Sequence, residues 1–173
     1  RASVGFLTFL AAFDLKRSHA KPWLFGLVIG AGALGGFFGA IIAPRLRRVV
    51  KEETILVGSL LVPAVVALFG ARAFGNTAIG VVACAVSVGA ASGRLAFDSL
   101  VQRDAPEAAR GRTFARFETR FQLAWVGGAF IPAAIPGLPG RLGFLLMAVG
   151  LTFFGLSYFA AVRASRSTEP VAR

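Results

Sequence analysis

The chain has 173 residues, 56 % of them hydrophobic and 16 % charged, with a net charge of +11 and a mean hydropathy of +0.72. A soluble domain is usually about 45–50 % apolar and about 25 % charged, so this composition argues against a water-soluble globule and points to lipid as the solvent. One His and one Cys exclude a disulfide within the chain and leave no His/Cys cluster to hold a metal.

The apolar residues fall in blocks. Residues 4–13 form a short one, about half a span, which ends in Phe13-Asp14-Leu15-Lys16, a poor signal-peptide cleavage site. Because the chain begins at Arg1 rather than Met, residues 1–13 read as the end of a helix whose start was cut away, and the chain as a C-terminal fragment. Residues 23–44 carry no charge, nor do 55–71, 77–93, 121–140 and 142–162. A hydrocarbon core of about 30 Å takes roughly 20 helical residues, and strands of a membrane barrel would alternate instead of running continuously apolar. The expectation is an all-α, polytopic helical membrane protein with five full transmembrane helices and one truncated at the N-terminus. The helices are predicted at about 4–13, 23–44, 55–71, 77–99, 117–137 and 142–162, all within a domain 1–162, followed by a tail 163–173.

Lys and Arg in the short loops set the orientation. Alternate loops divide into a set of twelve (Arg45, Arg47, Arg48, Lys51; Arg103, Arg110, Arg112, Arg116, Arg120; Arg163, Arg166, Arg173) and a set of five (Lys16, Arg17, Lys21, Arg72, Arg141). The larger set is predicted to be cytoplasmic, which puts the C-terminus inside. The charge of +11 is then mostly cytoplasmic bias, available to anionic headgroups. Phe114, Phe117, Phe121 and Trp125 interleave with Arg112, Arg116 and Arg120, but each set forms its own helical stripe. That describes a helix entering the membrane through its interface, not a nucleic-acid surface.

Three G-x-x-x-G pairs lie in the second helix: Gly26/Gly30, Gly32/Gly36 and Gly35/Gly39. Glycine at this spacing lets another backbone approach closely, so Gly32, Gly35, Gly36 and Gly39 are predicted packing positions. Pro63, Pro132 and Pro136 lie within spans and would bend them. Asp104 and Glu107 have capping-box spacing around Pro106, and Gly111 offers a sharp reversal into the next span. Of eight acids, all but Asp98 sit in loops, at helix ends or in the tail, so no carboxylate pair is placed for acid–base chemistry. Neither an enzyme nor a cofactor is expected.

Arg94 and Asp98 stand one helical turn apart at the end of an apolar run. An Arg near a membrane boundary can snorkel, and an Asp at i+4 offers it a partner. Asp98 is also within expected reach of Arg45 or Arg47 from the neighbouring loop. The pair is read as an ion pair anchoring the helix end rather than a direct substrate contact.

Two loops carry a family resemblance. Gly39 followed by Arg45, Arg47 and Arg48 is similar to the loop signature of the major facilitator superfamily, with Ala43 and Pro44 standing near the place of its Asp. Pro106, Arg110, Gly111 and Arg112, a Pro-x-x-x-Arg-Gly-Arg run, resemble the loop between helices ten and eleven of bacterial exporter-like members. The chain thus resembles the C-terminal six-helix half of a twelve-helix transporter, from a truncated seventh helix to the twelfth. The resemblance implies a bacterial inner-membrane protein that moves a small-molecule substrate by alternating access, as efflux by proton antiport, with the missing N-terminal half as partner, and with a cytoplasmic charge pair such as Arg94 and Asp98 acting as a conformational lock. An uptake symporter or facilitator of the same fold is the alternative, as is a non-transporting subunit or truncated inactive fragment.

Overall fold

A computed structural model describes residues 1–104, 110–135 and 137–167. They form six α-helices: α1 (Ala2–Arg17), α2 (Pro22–Leu46), α3 (Glu52–Arg72), α4 (Asn76–Asp104), α5 (Arg110–Ala134) and α6 (Gly140–Ser167). Local chemistry agrees with the boundaries. His19, at φ 49°, turns the chain between α1 and α2, and Pro22 opens α2 where a missing N–H costs nothing. Glu52 and Glu53 occupy the first turn of α3, where the helix dipole favours anions, and Arg72 its last, where it favours cations.

Among the described residues, four helices are long and apolar enough to cross a membrane: Pro22–Leu46, Glu52–Arg72, Asn76–Arg103 and Gly140–Ala164. The expected fifth span, 117–137, does not meet that standard. Its helix stops at Ala134, and Glu118, Arg120 and Gln122 occupy its first half. The apolar part, 121–134, would extend only about 21 Å at 1.5 Å per residue. Two further expectations change. Gly111 lies inside α5, and no described glycine has positive φ, so it makes no reversal. Helix α6 runs to Ser167, past the expected end at 162. The proposed cap at Asp104–Glu107, together with Pro136 and the tail beyond Ser167, lies outside the described residues.

The helices run up and down, so their ends form two sets. Arg17 donates through Nη2 to the Leu138 carbonyl at 2.6 Å, and Arg141 through Nε to that of Ala71 at 2.8 Å. These bonds gather the α1, α3 and α6 termini at one end of the bundle. At the other end Arg103 of α4 lies 3.6 Å from both Glu52 and Glu53 of α3. Among the described residues the two loop-charge sets therefore occupy opposite ends of the molecule.

Helix α1 packs on α5 and α2 on α4, while α3 packs on both α4 and α6; α1 also touches α2, α4 and α6, and α4 touches α5. Exchanging α1 with α4, α2 with α5 and α3 with α6 returns the same set of pairings. The first three helices and the last three thus correspond in which helices touch but not in how closely, because α3 packs extensively on α4 whereas the counterpart pair α6–α1 meets only slightly. Counterparts are three helices apart in an up-and-down chain, so the units have opposite direction, as in an inverted repeat.

Glycine makes the two equivalent close pairs. On α2, a Cβ at Gly35 would collide with the Cys84 backbone of α4, and one at Gly39 would lie 2.7 Å from the Val88 carbonyl oxygen. On the α1–α5 pair, Gly5 faces the Trp125 backbone and Gly128 faces that of Ala2. Within this chain Gly36 has no neighbour, since nothing lies within 4 Å of where its Cβ would be, and Gly32 meets only Ser87 Oγ at 3.4 Å. Gly36 lies one residue past Gly35, 100° around the helix, on an open face.

Phe6, Leu10, Leu15, Ile79, Val82 and Phe144 form the interior. Large apolar side chains cover the outside as well: Trp23 and Phe37 are 60 % exposed, Phe130 68 % and Phe153 63 %. Water would not tolerate so continuous an apolar surface on a monomer, whereas lipid or partner helices would.

Candidate functional site

Arg94 sits on α4, ten residues before its end. Its Nε donates to both carboxylate oxygens of Asp98 at 3.0 Å, as the i,i+4 spacing predicts. Its Nη1 donates to Glu118 Oε2 of α5 at 2.7 Å. Glu118 in turn accepts from Gln122 Nε2 at 3.2 Å. The guanidinium also lies over the Phe121 ring, 5.1 Å from its centroid. Phe97 of α4 meets Phe117 and Phe121 of α5 edge-on, at 4.8 and 5.2 Å between centroids. One Arg thus faces two carboxylates across two helices, beneath an aromatic cluster.

Asp98 pairs with Arg94 and not with the neighbouring loop. Arg45 instead donates weakly, at 3.5 Å, to its own helix at Ile41. Arg47, Arg48 and Arg112 are exposed. The side chain of Arg110 lies outside the described residues.

Arg94 also lines a cavity of about 440 Å³ between α1, α3, α4, α5 and α6. Its lining is mostly apolar, with Pro63, Val86 and Leu151, and includes Phe97, Phe121 and Tyr158 as well as Arg94. Pro63 removes the partner of the Ser59 carbonyl within α3. Gly89 of α4 faces that carbonyl, and a Cβ there would lie 2.5 Å from its oxygen. The proline and the glycine together hold α3 against α4 along the cavity wall.

Glu118, Phe97, Ser59 and Tyr158 were not singled out by the sequence. A signal existed for Glu118. At 100° per residue it falls beside the Phe117/Phe121 stripe, on the side away from Arg112, Arg116 and Arg120. An acid next to an aromatic stripe, apart from the basic one, is a candidate partner for a cation on another helix. Tyr158 had no such signal, because six residues of α6 that flank it are plain apolar or small.

The chain is 32 % identical over 135 residues to an uncharacterized protein of Mycobacterium leprae (strain TN), covering 75 % of this chain and 23 % of that protein. The chain therefore spans about a quarter of its relative's length. No family model matches the chain, and no solved structure does.

Proposed function

We propose that this chain is the C-terminal six-helix half of a major-facilitator-type secondary transporter in a bacterial inner membrane. The observation that carries the reading is the exchange pattern, in which every helix pairing keeps a counterpart when α1–α3 and α4–α6, units of opposite direction, are exchanged, although α3–α4 is far more extensive than its counterpart α6–α1. Transporters built from such repeats work by rocking one unit or bundle against another around a site near the midplane. Three features support the reading. Two glycine-mediated helix pairs allow close sliding contact. Prolines stand inside α3 and α5. A charge cluster joins α4 to α5 where they make few other contacts.

The direction proposed is efflux of a small organic solute by proton exchange. Among the described residues, the acids lie toward helix ends, so the proton carrier is assigned to helices outside this chain. The larger basic set, and with it the C-terminus, is assigned to the cytoplasm.

Transport by the full-length protein in proteoliposomes tests this reading. An imposed pH gradient should drive accumulation of at least one member of a panel of small organic acids, amines and neutral solutes, and a protonophore should abolish it. Failure across the panel, with protein shown to be folded and inserted, would sink proton-coupled transport. Accumulation unaffected by the protonophore would leave a facilitator.

A further inference from the structure

We infer that the cavity between α1, α3, α4, α5 and α6 binds a single-chain amphipathic organic anion, and that the anion takes Arg94 over from Glu118. The inference rests on the transporter reading only for its consequence, not for the binding.

The cavity walls decide the class of ligand. Its volume of about 440 Å³ falls within the range of small-molecule sites. From Val86 to Phe97 it follows α4 for eleven residues, roughly 16 Å at 1.5 Å per residue. A long, narrow ligand with an apolar body fits that shape. Arg94 lines the wall, and no carboxylate of the described residues does.

Counting charges alone would favour a cation, because one guanidinium faces two carboxylates. Position reverses that conclusion. Asp98 and Glu118 hold the guanidinium from outside the cavity wall, so the group a ligand meets first is Arg94, stacked on Phe121. A cation there would meet a cation. An anion would find a planar donor set suited to bidentate carboxylate binding.

A guanidinium has five N–H donors, and the bonds to Asp98 and Glu118 engage Nε and Nη1, so a ligand carboxylate that spans Nη1 and Nη2 contends with Glu118 only for Nη1. Asp98 sits one turn away on the same helix and receives Nε. Glu118 is on another helix, and its side chain is 44 % exposed. It is the partner that can swing into water at least cost. Exchange of Glu118 for a ligand carboxylate removes a tie between α4 and α5 while keeping Arg94 compensated. No covalent step is involved; one ion pair replaces another. In a rocking transporter this couples occupancy of the cavity to release of α5.

The test uses the full-length protein in phosphatidylcholine nanodiscs, with a dansylated undecanoate as fluorescent probe. Dodecanoate should displace the probe at least roughly ten-fold better than dodecanol or dodecyltrimethylammonium, the range expected of a charge-assisted pair. Arg94→Gln should weaken probe binding by a similar factor, and Glu118→Gln should tighten it several-fold by removing the competitor. If Arg94→Gln does not fold, the three-way competition on the unmodified protein decides alone. Equal displacement by dodecanol, or better displacement by the ammonium compound, overturns the inference, as does binding that Arg94→Gln leaves unchanged. Dodecanoate binding without solute transport in proteoliposomes would sink the transport reading and leave this site standing; transport without dodecanoate binding would do the reverse.

Discussion

Arg94 Nη1 on α4 meets Glu118 Oε2 on α5 at 2.7 Å, while its Nε holds Asp98 one turn along its own helix. The three groups are unequal, and their loss should be unequal too. Arg94→Gln strands two carboxylates near each other. Asp98→Asn leaves Arg94 with Glu118, and Glu118→Gln leaves it with Asp98. With side chains 25–44 % exposed, the costs should fall well below the roughly 3–5 kcal/mol of a fully buried broken pair, at about 1–2 kcal/mol for Arg94→Gln. Thermal unfolding in detergent should therefore rank Arg94→Gln worst and Glu118→Gln mildest. Neutralising all three should recover part of the Arg94→Gln loss, since no charge is stranded. Strictly additive losses would show three independent anchors.

The glycines of α2 divide by face. Gly35→Leu and Gly39→Leu drive a side chain into the α4 backbone at Cys84 and Val88, and both should sharply reduce folded protein. Gly36→Leu enters open space and should be tolerated in folding. Size-exclusion profiles of the three variants check this. A Gly36→Leu variant that aggregates like Gly35→Leu would mean that another helix covers that face in the full-length protein.

Topology follows from the basic loops. Single cysteines at Ser18 and Asn76, in a Cys84→Ala background, should react with impermeant thiol reagents in whole cells, whereas one at Lys51 should not. His19 and Lys21 beside Ser18 are exposed, as the labelling requires. Labelling at Lys51 alone would invert the assignment.

Arg103 bridges Glu52 and Glu53 at 3.6 Å, but its side chain is 54 % exposed. Solvent-exposed ion pairs contribute about 0–1 kcal/mol and are screened by salt. Arg103→Gln should thus lower the melting temperature by much less than Arg94→Gln, and the difference from the unmodified protein should shrink at high salt. A loss equal to that of Arg94→Gln would show that this end is desolvated by something outside the six helices.

Much of the architecture was legible because hydropathy is local. An apolar run of 20 residues has to be helical in lipid, where every backbone N–H and C=O needs an internal partner, and so the long apolar helices α2, α3, α4 and α6 stood out in the sequence, as did the Arg94–Asp98 pair, whose i,i+4 spacing is a property of one helix. The limits of α5 were misread because apolarity says where a helix is comfortable, not where it stops. Which side of α2 the glycines serve, the partnership of Arg94 with Glu118, the cavity around Pro63 and Gly89, and the correspondence of α1–α3 with α4–α6 depend on which helices lie side by side. Charge separation along the chain carries no information on that. Arg94 and Glu118 are 24 residues apart, and only the packing of α4 beside α5 turns two half-exposed charges at different helix ends into one cluster.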